Sequence, residues 1–416
     1  MLQFKSNSYE ISARYALFYF SNCLYISDIW DGFGDCALTQ VETDIIIQFN
    51  NLHNVENVWT AIKHEYHISE AQQDAYVVFE SYLNKLIDRR ILVPGERTLP
   101  IVGEKGKCYP PLVTIELTDK CNFECTHCYK EAGHSNDCFL DTELAIRALE
   151  SLKGKAWQVE FTGGEALLHP DFVKIVEHAD FPMMSLLTNG SLLGQIPIET
   201  LKKFHIIQVS IYGTSDDEYI KYARSKSFRQ VCSNIKKLTD SGICVTVAVI
   251  LRKTNYLRLQ SYADLFSDLG VTAVRFGVTK KIGRNTSEIS DWDMSYDDCC
   301  MFDKQLLELR EHYPNIQFDD LDWEGEFIAQ SIGNKNDPHT LKCSAGKKAI
   351  VLSERGIVRP CALLPAEYFG KLHWNDYMKT VESGHTVCFD SCVLACSSAY
   401  KKEGKSIIPI CSYAFE

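Results

Sequence analysis

No apolar run in this chain of 416 residues reaches the roughly 18 to 20 residues that a membrane-spanning helix needs, which argues against a helical membrane protein. The opening stretch MLQFKSNSYEISARY has no basic start, apolar run and small-residue cleavage site, so nothing there directs export and cytoplasmic residence is expected. Positive charge is short as well. Lys and Arg number 43 against 55 Asp and Glu, a net charge of -12, which argues against a general phosphate-binding surface and therefore against nucleic acid as a partner. Two local basic stretches, KYARSKSFR (221–229) and VTKKIGRN (278–285), read either as solvated faces or as seats for a small anion. Cysteine is plentiful, at 17 residues. Without an export signal those thiols are expected to stay reduced, so metal ligation is a better use for them than a disulfide framework.

Three of them stand in LTDKCNFECTHCYKEAG (117–133), where Cys121, Cys125 and Cys128 are spaced C-x3-C-x2-C with no fourth thiol in the cluster. A tetrahedral zinc or iron site fixed by protein alone wants four ligands, so three close thiols suggest a centre whose last position is left for another molecule. A structural zinc site is the plain alternative.

Read for organisation, the chain falls into three parts. Up to about residue 98, two aromatic-rich apolar stretches, ARYALFYF and CLYISDIW, suit neighbouring strands, and three helical patterns follow. These are LTQVETDIIIQFNNL, NVENVWTAIKHEYHI with an Asn cap, and SEAQQDAYVVFESYLNKLIDRRIL with a Ser start. Strands followed by three short helices look like a winged-helix module, and the Pro- and Gly-bearing stretch VPGERTLPIVGEKGKCYPP reads as a linker. From about 112 to 310 six short apolar runs alternate with amphipathic segments: LVTIELT, WQVEFTGG, MSLLTNG, IIQVSIYG, CVTVAVIL and AVRFGVT. Six strand-helix units in a row predict a parallel sheet, either doubly wound or curled into a partial barrel, with the chemistry at the C-terminal ends of its strands.

The C-x3-C-x2-C after the first strand, with Gly163-Gly164-Glu165 ending the second, resembles the radical S-adenosylmethionine (SAM) superfamily. The fold class this implies is α/β, a partial (β/α)6 barrel. The resemblance implies that Cys121, Cys125 and Cys128 hold a 4Fe-4S cluster whose fourth iron binds SAM, so that the missing ligand is the substrate. It further places Gly163, Gly164 and Glu165 against the SAM amino group, and His127 and Tyr129 beside the adenine. Ser210 would contact ribose or carboxylate, and Arg224 would lie near the SAM carboxylate. For Arg224 an exposed helix-end arginine is the plain alternative.

The third part contains Cys343, Cys361, Cys388, Cys392, Cys396 and Cys411. CSAGKKAIVLSERGIVRPC, with Gly356 five positions before Cys361, resembles the start of the SPASM extension of peptide-modifying radical SAM enzymes. The later spacing departs from that pattern, since CFDSCVLAC reads C-x3-C-x3-C and is followed only by Cys411. Two all-cysteine 4Fe-4S clusters need eight thiolates, so six imply an open iron, a ligand of another kind, a thiol from elsewhere, or one auxiliary cluster alone. By position, Cys343, Cys361 and Cys396 group together, and so do Cys388, Cys392 and Cys411; a structural zinc site is the alternative. Cys108 and Cys138 flank the first motif and are spare candidates. Cys23, Cys36, Cys232, Cys244, Cys299 and Cys300 read as small hydrophobes.

The resemblance therefore implies four segments: 1–98, a winged-helix-like leader-peptide recognition domain; 108–310, the radical SAM barrel; 311–339, a connector; and 340–416, a SPASM-like iron-sulfur domain with one or two auxiliary 4Fe-4S clusters. A strand edge in the first could accept an extended peptide. The implied activity is maturation of a ribosomally made precursor peptide: reductive SAM cleavage, hydrogen abstraction by a 5'-deoxyadenosyl radical, and a thioether crosslink. A flavodoxin- or ferredoxin-type donor would supply the electron. Carbon-carbon crosslinking, a sulfatase-maturing activity, and a non-catalytic iron-sulfur or zinc regulatory role are the alternatives. The acidic run FDDLDWEGE, with Asp319, Asp320, Asp322 and Glu324, reads as surface or connector near the barrel's exit.

Overall fold

The structure, a computed structural model, describes residues 8–29, 37–69, 72–278, 283–285, 295–319, 346, 348–362 and 371–387. They divide into two compact units: residues up to Pro111, with Gly154–Trp157 and Lys379–Thr386, form one, and the remainder form the other.

In the first unit, β1 (Tyr9–Ile11), β2 (Tyr15–Phe20) and β3 (Cys23–Asp28) precede α1 (Gln40–Leu52), α2 (Val55–Glu65) and α3 (Gln73–Asp88), and β4 (Leu92–Pro94) and β5 (Ile101–Val102) follow. The order of strands and then three helices is as expected. Strands β2 and β3 form a tight antiparallel hairpin closed by the pair Phe20 and Cys23. The helices start where the side chains cap them: Thr39 and Glu42 make a reciprocal capping box on α1, and Asn54 accepts from the Asn57 N–H on α2. Helix α3 begins later than its Ser69 start suggests. Its cap position is Gln72, whose amide oxygen accepts from the Ser69 N–H at 2.8 Å, so the serine closes a turn before the helix. The stretch expected to be linker contains β5, which pairs in parallel with β2 through Leu17 and Ile101. A two-residue strand amid Pro and Gly carries no periodicity, so only the pairing reveals it.

The second unit is built on nine strands in the order β12-β11-β10-β9-β8-β7-β6-β13-β14. The six expected runs become β6 (Leu112–Glu116), β7 (Gln158–Thr162), β8 (Met183–Thr188), β9 (Ile206–Ile211), β10 (Val245–Ile250) and β11 (Ala273–Gly277), all parallel and each beside its chain neighbour. Between them run α4 (Thr142–Leu152), α5 (Phe172–Glu177), α6 (Ile198–Leu201), α7 (Asp216–Tyr222), α8 (Phe228–Asp240) and α9 (Leu259–Leu269), and α10 (Tyr296–His312) leads to β12 (Gln317–Phe318). A doubly wound sheet reverses its strand order at a switch point, and this one does not. Right-handed crossovers in a single direction put every helix on one face, so the sheet curls with helices outside, as a partial barrel. Its two ends, β12 and β14, stay apart in the order, so the barrel is open. Strand β13 (Ala349–Leu352) joins β6 in parallel, and β14 (Val358–Arg359) folds back on it through the turn at Gly356, whose φ is +72°. The stretch that begins the cysteine-rich tail thus extends the barrel sheet.

The apolar side of that sheet is the core. Val113, Ile115, Val159, Phe161, Leu186, Ile207 and Val209 are all buried, and Phe161 meets Phe204 edge-on at 5.8 Å, with Phe172 of α5 stacked beyond it. Alternate residues point the other way and include Thr114, Glu116, Gln158, Glu160, Gln208, Ser210 and Arg275.

Candidate active site at the cysteine loop

The chain leaves β6 at Glu116 and returns to α4 at the Asp141 cap, and the loop between carries the three cysteines. It doubles back on itself: Cys121 N–H donates to Gly133 O at 3.0 Å, Asp119 N–H to Cys138 O at 3.1 Å, and Leu140 N–H to Leu117 O at 2.9 Å. The tip is tied to the end of α7 by the Thr126 N–H, which donates to Tyr222 O at 2.9 Å.

Gly163 and Gly164, at the end of β7, lie flat against this loop. A Cβ on Gly163 would stand 2.4 Å from Thr118 O, and one on Gly164 would stand 2.2 Å from Lys120 O. The N–H groups of Gly164 and Glu165 donate to those same two carbonyls, at 2.6 and 2.9 Å. Glycine is required here because backbone meets backbone. The Glu165 side chain is buried and turns to the end of β8. One oxygen accepts from Thr188 Oγ1 at 2.8 Å and from Leu167 N at 3.2 Å, and the other from Asn189 N at 2.7 Å. Burial pushes its carboxyl up, and these three donors pull against that. In this structure the motif's amides and carboxylate hold two loops in register.

The thiols lie in prepared surroundings. Cys121 Sγ accepts from Phe123 N–H at 3.4 Å and from Asn189 Nδ2 at 3.9 Å, and Cys125 bonds to the Tyr212 hydroxyl. Burial pushes both thiols up to about 12; Glu165 and Cys128 add to the effect at Cys121, and Cys121 and Cys128 add to it at Cys125. Three close thiolates are thus costly without a cation, and N–H and O–H donors aimed at sulfur favour the thiolate once a cation is present. Among the described residues no three His, Cys, Asp or Glu side chains form a group that could hold a single metal ion. Three neighbouring thiols, with N–H and O–H donors aimed at two of the sulfurs, are a donor set suited to a cluster held by three thiolates.

The other expected contacts fall out unevenly. The His127 ring lies 5.6 Å from that of Tyr212, and burial, with Arg252 and Arg284 nearby, drops its imidazole to about 3, so it is neutral at physiological pH. Tyr129 keeps 37% of its surface exposed. Burial, then Glu116 and Cys128, push its phenol upward. Ser210 lies on the polar face of β9, in register with Ala248. Arg224 is exposed, in a left-handed conformation with φ 51°, and follows Tyr222 and Ala223, whose carbonyls accept from Thr126 and Glu124 N–H of the cysteine loop at 2.9 and 3.3 Å. Cys361, half-buried, follows β14; Cys343, Cys388, Cys392, Cys396 and Cys411 lie outside the described residues, as do Cys36, Asp320, Asp322 and Glu324. Asp319 pairs with Arg275 at 3.1 Å. Cys138 Sγ lies 3.7 Å from Glu354 O, and Cys108 Sγ donates to Gly384 O within the first unit. Cys244, expected to be a packed hydrophobe, is exposed at the entry to β10.

Several site residues escaped the sequence reading. Asn189 links Cys121 to Asn122 Oδ1 at 2.8 Å and accepts from Ser191, so the TNG that ends β8 is part of the site. Tyr212, two residues past Ser210, is the side chain of VSIYG that reaches a cysteine. Arg252, fully buried, donates to Tyr212 O at 3.0 Å and stacks on Tyr222. Arg284 touches the cysteine loop at three carbonyls. Behind Tyr129, Lys130 bridges Glu116 and Glu354 at 2.9 and 2.7 Å, and Arg359 bonds Glu116 from the other side.

Residues 115–266 match the Radical SAM superfamily. The chain is similar to the antilisterial bacteriocin subtilosin biosynthesis protein AlbA of Bacillus subtilis, 28% identical over 320 residues, covering 74% of this chain and 68% of that protein. It is also similar to the sporulation killing factor maturation protein SkfB of Bacillus subtilis, at 26% identity over 75% of this chain and 74% of the other. Its fold resembles that of Streptococcus suis SuiB bound to the precursor peptide SuiA, with a TM-score of 0.61, 13% identity, and 89% and 88% of the two chains covered.

Proposed function

Because the chain contains a radical SAM domain, with a 4Fe-4S cluster and SAM as its cofactors, we propose that it is a maturase that installs a thioether crosslink in a ribosomally made precursor peptide. The observation that carries this reading is the cysteine loop on the C-terminal edge of the partial barrel, with Gly163 and Gly164 packed against it. The likeness to AlbA and SkfB over about three quarters of the chain points to a peptide substrate, and SuiB is bound to one.

When bound, the cluster supplies one electron to the SAM sulfonium, which yields a radical able to take hydrogen from an unactivated carbon. The residues of this chain do the rest. Cys121, Cys125 and Cys128 hold the cluster, and the N–H of Phe123, the Asn189 amide and the Tyr212 hydroxyl stabilise the thiolates. Glu165 fixes the Asn189 loop, so it positions a thiolate partner. The neutral His127 and the rings of Tyr212 and Phe123 pack against one another beside the cysteines and would keep water from a cluster held there. The polar face of the sheet, from Thr114 to Ser210, offers hydrogen-bonding groups to a peptide inside the open barrel. In the first unit, β3 ends its sheet; Ala37 and Leu38 already pair with its Tyr25 and Leu24, and a leader segment would add beside the rest of that strand. Cys361 and the five other tail cysteines would hold one or two auxiliary clusters, which would supply a one-electron acceptor. A flavodoxin- or ferredoxin-type donor in the cytoplasm would supply the electron. No helix among the described residues is long and apolar enough to cross a membrane.

The test is anaerobic. The chain reconstituted with iron and sulfide and reduced with SAM present is expected to release 5'-deoxyadenosine, and Cys121→Ala is expected to release none. With a cysteine-containing precursor peptide, the product should have lost two hydrogens and one free thiol. Iron uptake without any SAM cleavage would overturn the enzyme reading.

A further inference from the structure

The basic stretch VTKKIGRN follows β11, the last of the six long parallel strands, and its Gly283 and Arg284 reach back to the loop after the first of them. Arg284 makes three hydrogen bonds there. Its N–H donates to Cys128 O at 3.0 Å, its Nε to Cys125 O at 2.9 Å, and its Nη2 to Ala132 O at 2.7 Å. All three acceptors are backbone carbonyls, two of them belonging to cysteines of the triad. Gly283 makes the approach feasible. Its φ is +60°, and a Cβ on it would stand 2.3 Å from Cys128 O and 2.5 Å from Tyr129 O, backbone atoms that cannot swing aside.

We propose that Arg284 is a positioning residue for the cluster: its guanidinium fork fixes the backbone from Cys125 to Ala132 and places a permanent positive charge beside the thiolates. The planar fork does what a lysine cannot, since two of its nitrogens reach separate carbonyls in one fixed plane. The carbonyls it draws together flank two ligand residues, so the separation of those ligands is set by a residue about 160 positions away. The fixed cation also favours the more reduced, more negative state of anything held by those sulfurs, which raises the reduction potential. In physical terms, the loop after β11, five strands from β6 in the order, helps set how firmly the cluster is held and how easily it takes an electron.

The inference rests on the reading that the triad holds a cluster, and the experiment separates the two. Wild type, R284K, R284Q and G283A, with R229Q as an exposed control, are reconstituted anaerobically as full chains. Three quantities are then measured: iron loss to an external chelator, the midpoint potential by EPR-monitored titration, and the melting of the unreconstituted chain. R284Q is expected to lose iron about tenfold faster than wild type, the factor corresponding to one charge-assisted hydrogen bond, and to have a lower midpoint potential. R284K keeps the charge and loses the fork, so its potential should stay near wild type while iron loss quickens. G283A should shed iron faster with Arg284 still present. If R284Q melts earlier even without iron, the split between potential and iron loss in R284K carries the test. Iron loss and potential in R284Q equal to wild type overturn the proposal. A wild type that takes up no iron overturns the cluster reading instead.

Discussion

On β6, β7 and β9 the residues facing the helices are Val113, Ile115, Val159, Phe161, Ile207 and Val209, all fully buried. Their neighbours in the same strands, Thr114, Gln158, Glu160, Gln208 and Ser210, are polar and partly open. The two sets alternate because side chains in a strand alternate faces. A parallel sheet covered by helices on both sides would be apolar on both faces. Here only one is, so the other was left for something polar. The fold is therefore specified by every second residue, and the remaining residues are free to serve a substrate. The cysteine loop sits where the two sets end, at the C-terminal edge.

If the apolar face carries the fold, truncating it should cost far more than any change on the polar face. Phe161, fully buried against Phe204, is the sharpest case. Phe161→Ala is expected to destabilise the chain by about 3–5 kcal/mol, the range for deleting a packed aromatic ring. Urea unfolding of the unreconstituted protein measures it. A loss below that of a surface substitution would mean that this face is not the core.

Glu116 is the exception that sharpens the contrast, since it lies on the polar side and is fully buried. One of its oxygens takes both Lys130 and Arg359, and Lys130 is shared with Glu354. Two carboxylates and two cations balance, and removing one carboxylate leaves a buried excess of positive charge. Glu116→Gln is expected to cost about 3 kcal/mol in the same urea experiment, at the low end for a broken buried pair because Glu354 still compensates Lys130. This network fastens β14 and the loop residue Lys130 to the end of β6. Indifference to the substitution would make it ornamental.

What was legible follows the same division. Each of the six apolar runs became a strand, because a face buried under helices needs an unbroken set of Val, Ile, Leu and Phe, and that leaves a local trace. The spacing marked the three cysteines as a group, and the structure brings their thiols near one another. Strand β13 was not, because its partner β6 lies more than 230 residues earlier and nothing in AIVL names it. Arg284 was hidden in a basic stretch that reads as a solvated face, and an arginine that binds carbonyls leaves no periodic signal. Gly163 and Gly164 were expected against the SAM amino group; what their motif did not tell is that their missing side chains also admit the backbone of Thr118 and Lys120. Arg224, read from a resemblance, is exposed beside the segment that ties to the cysteine loop, and Arg252 and Arg284, which no motif named, also lie near His127.

The smallest effect expected is at Glu160, on the polar face of β7. Thr114 Oγ1 donates to it at 3.2 Å across the β6 to β7 register, and burial pushes its carboxyl above the ordinary 4.5 although Thr114 and Arg275 pull it down. A folded-state pKa above the unfolded one means that the folded chain holds the proton more tightly. The residue then costs nothing at pH well below both values, and its charged form destabilises the fold increasingly as pH rises from 4.5 through the folded value. Glu160→Gln removes the charge and keeps a hydrogen-bond acceptor for Thr114. Its melting temperature should match wild type near pH 4 and exceed it by roughly 2 °C at neutral pH, measured on the unreconstituted chain across that range. A gap that stays constant with pH would mean that Glu160 is as well solvated as a surface carboxylate, and the polar face would then be open to bulk water along β7 instead of enclosing a site.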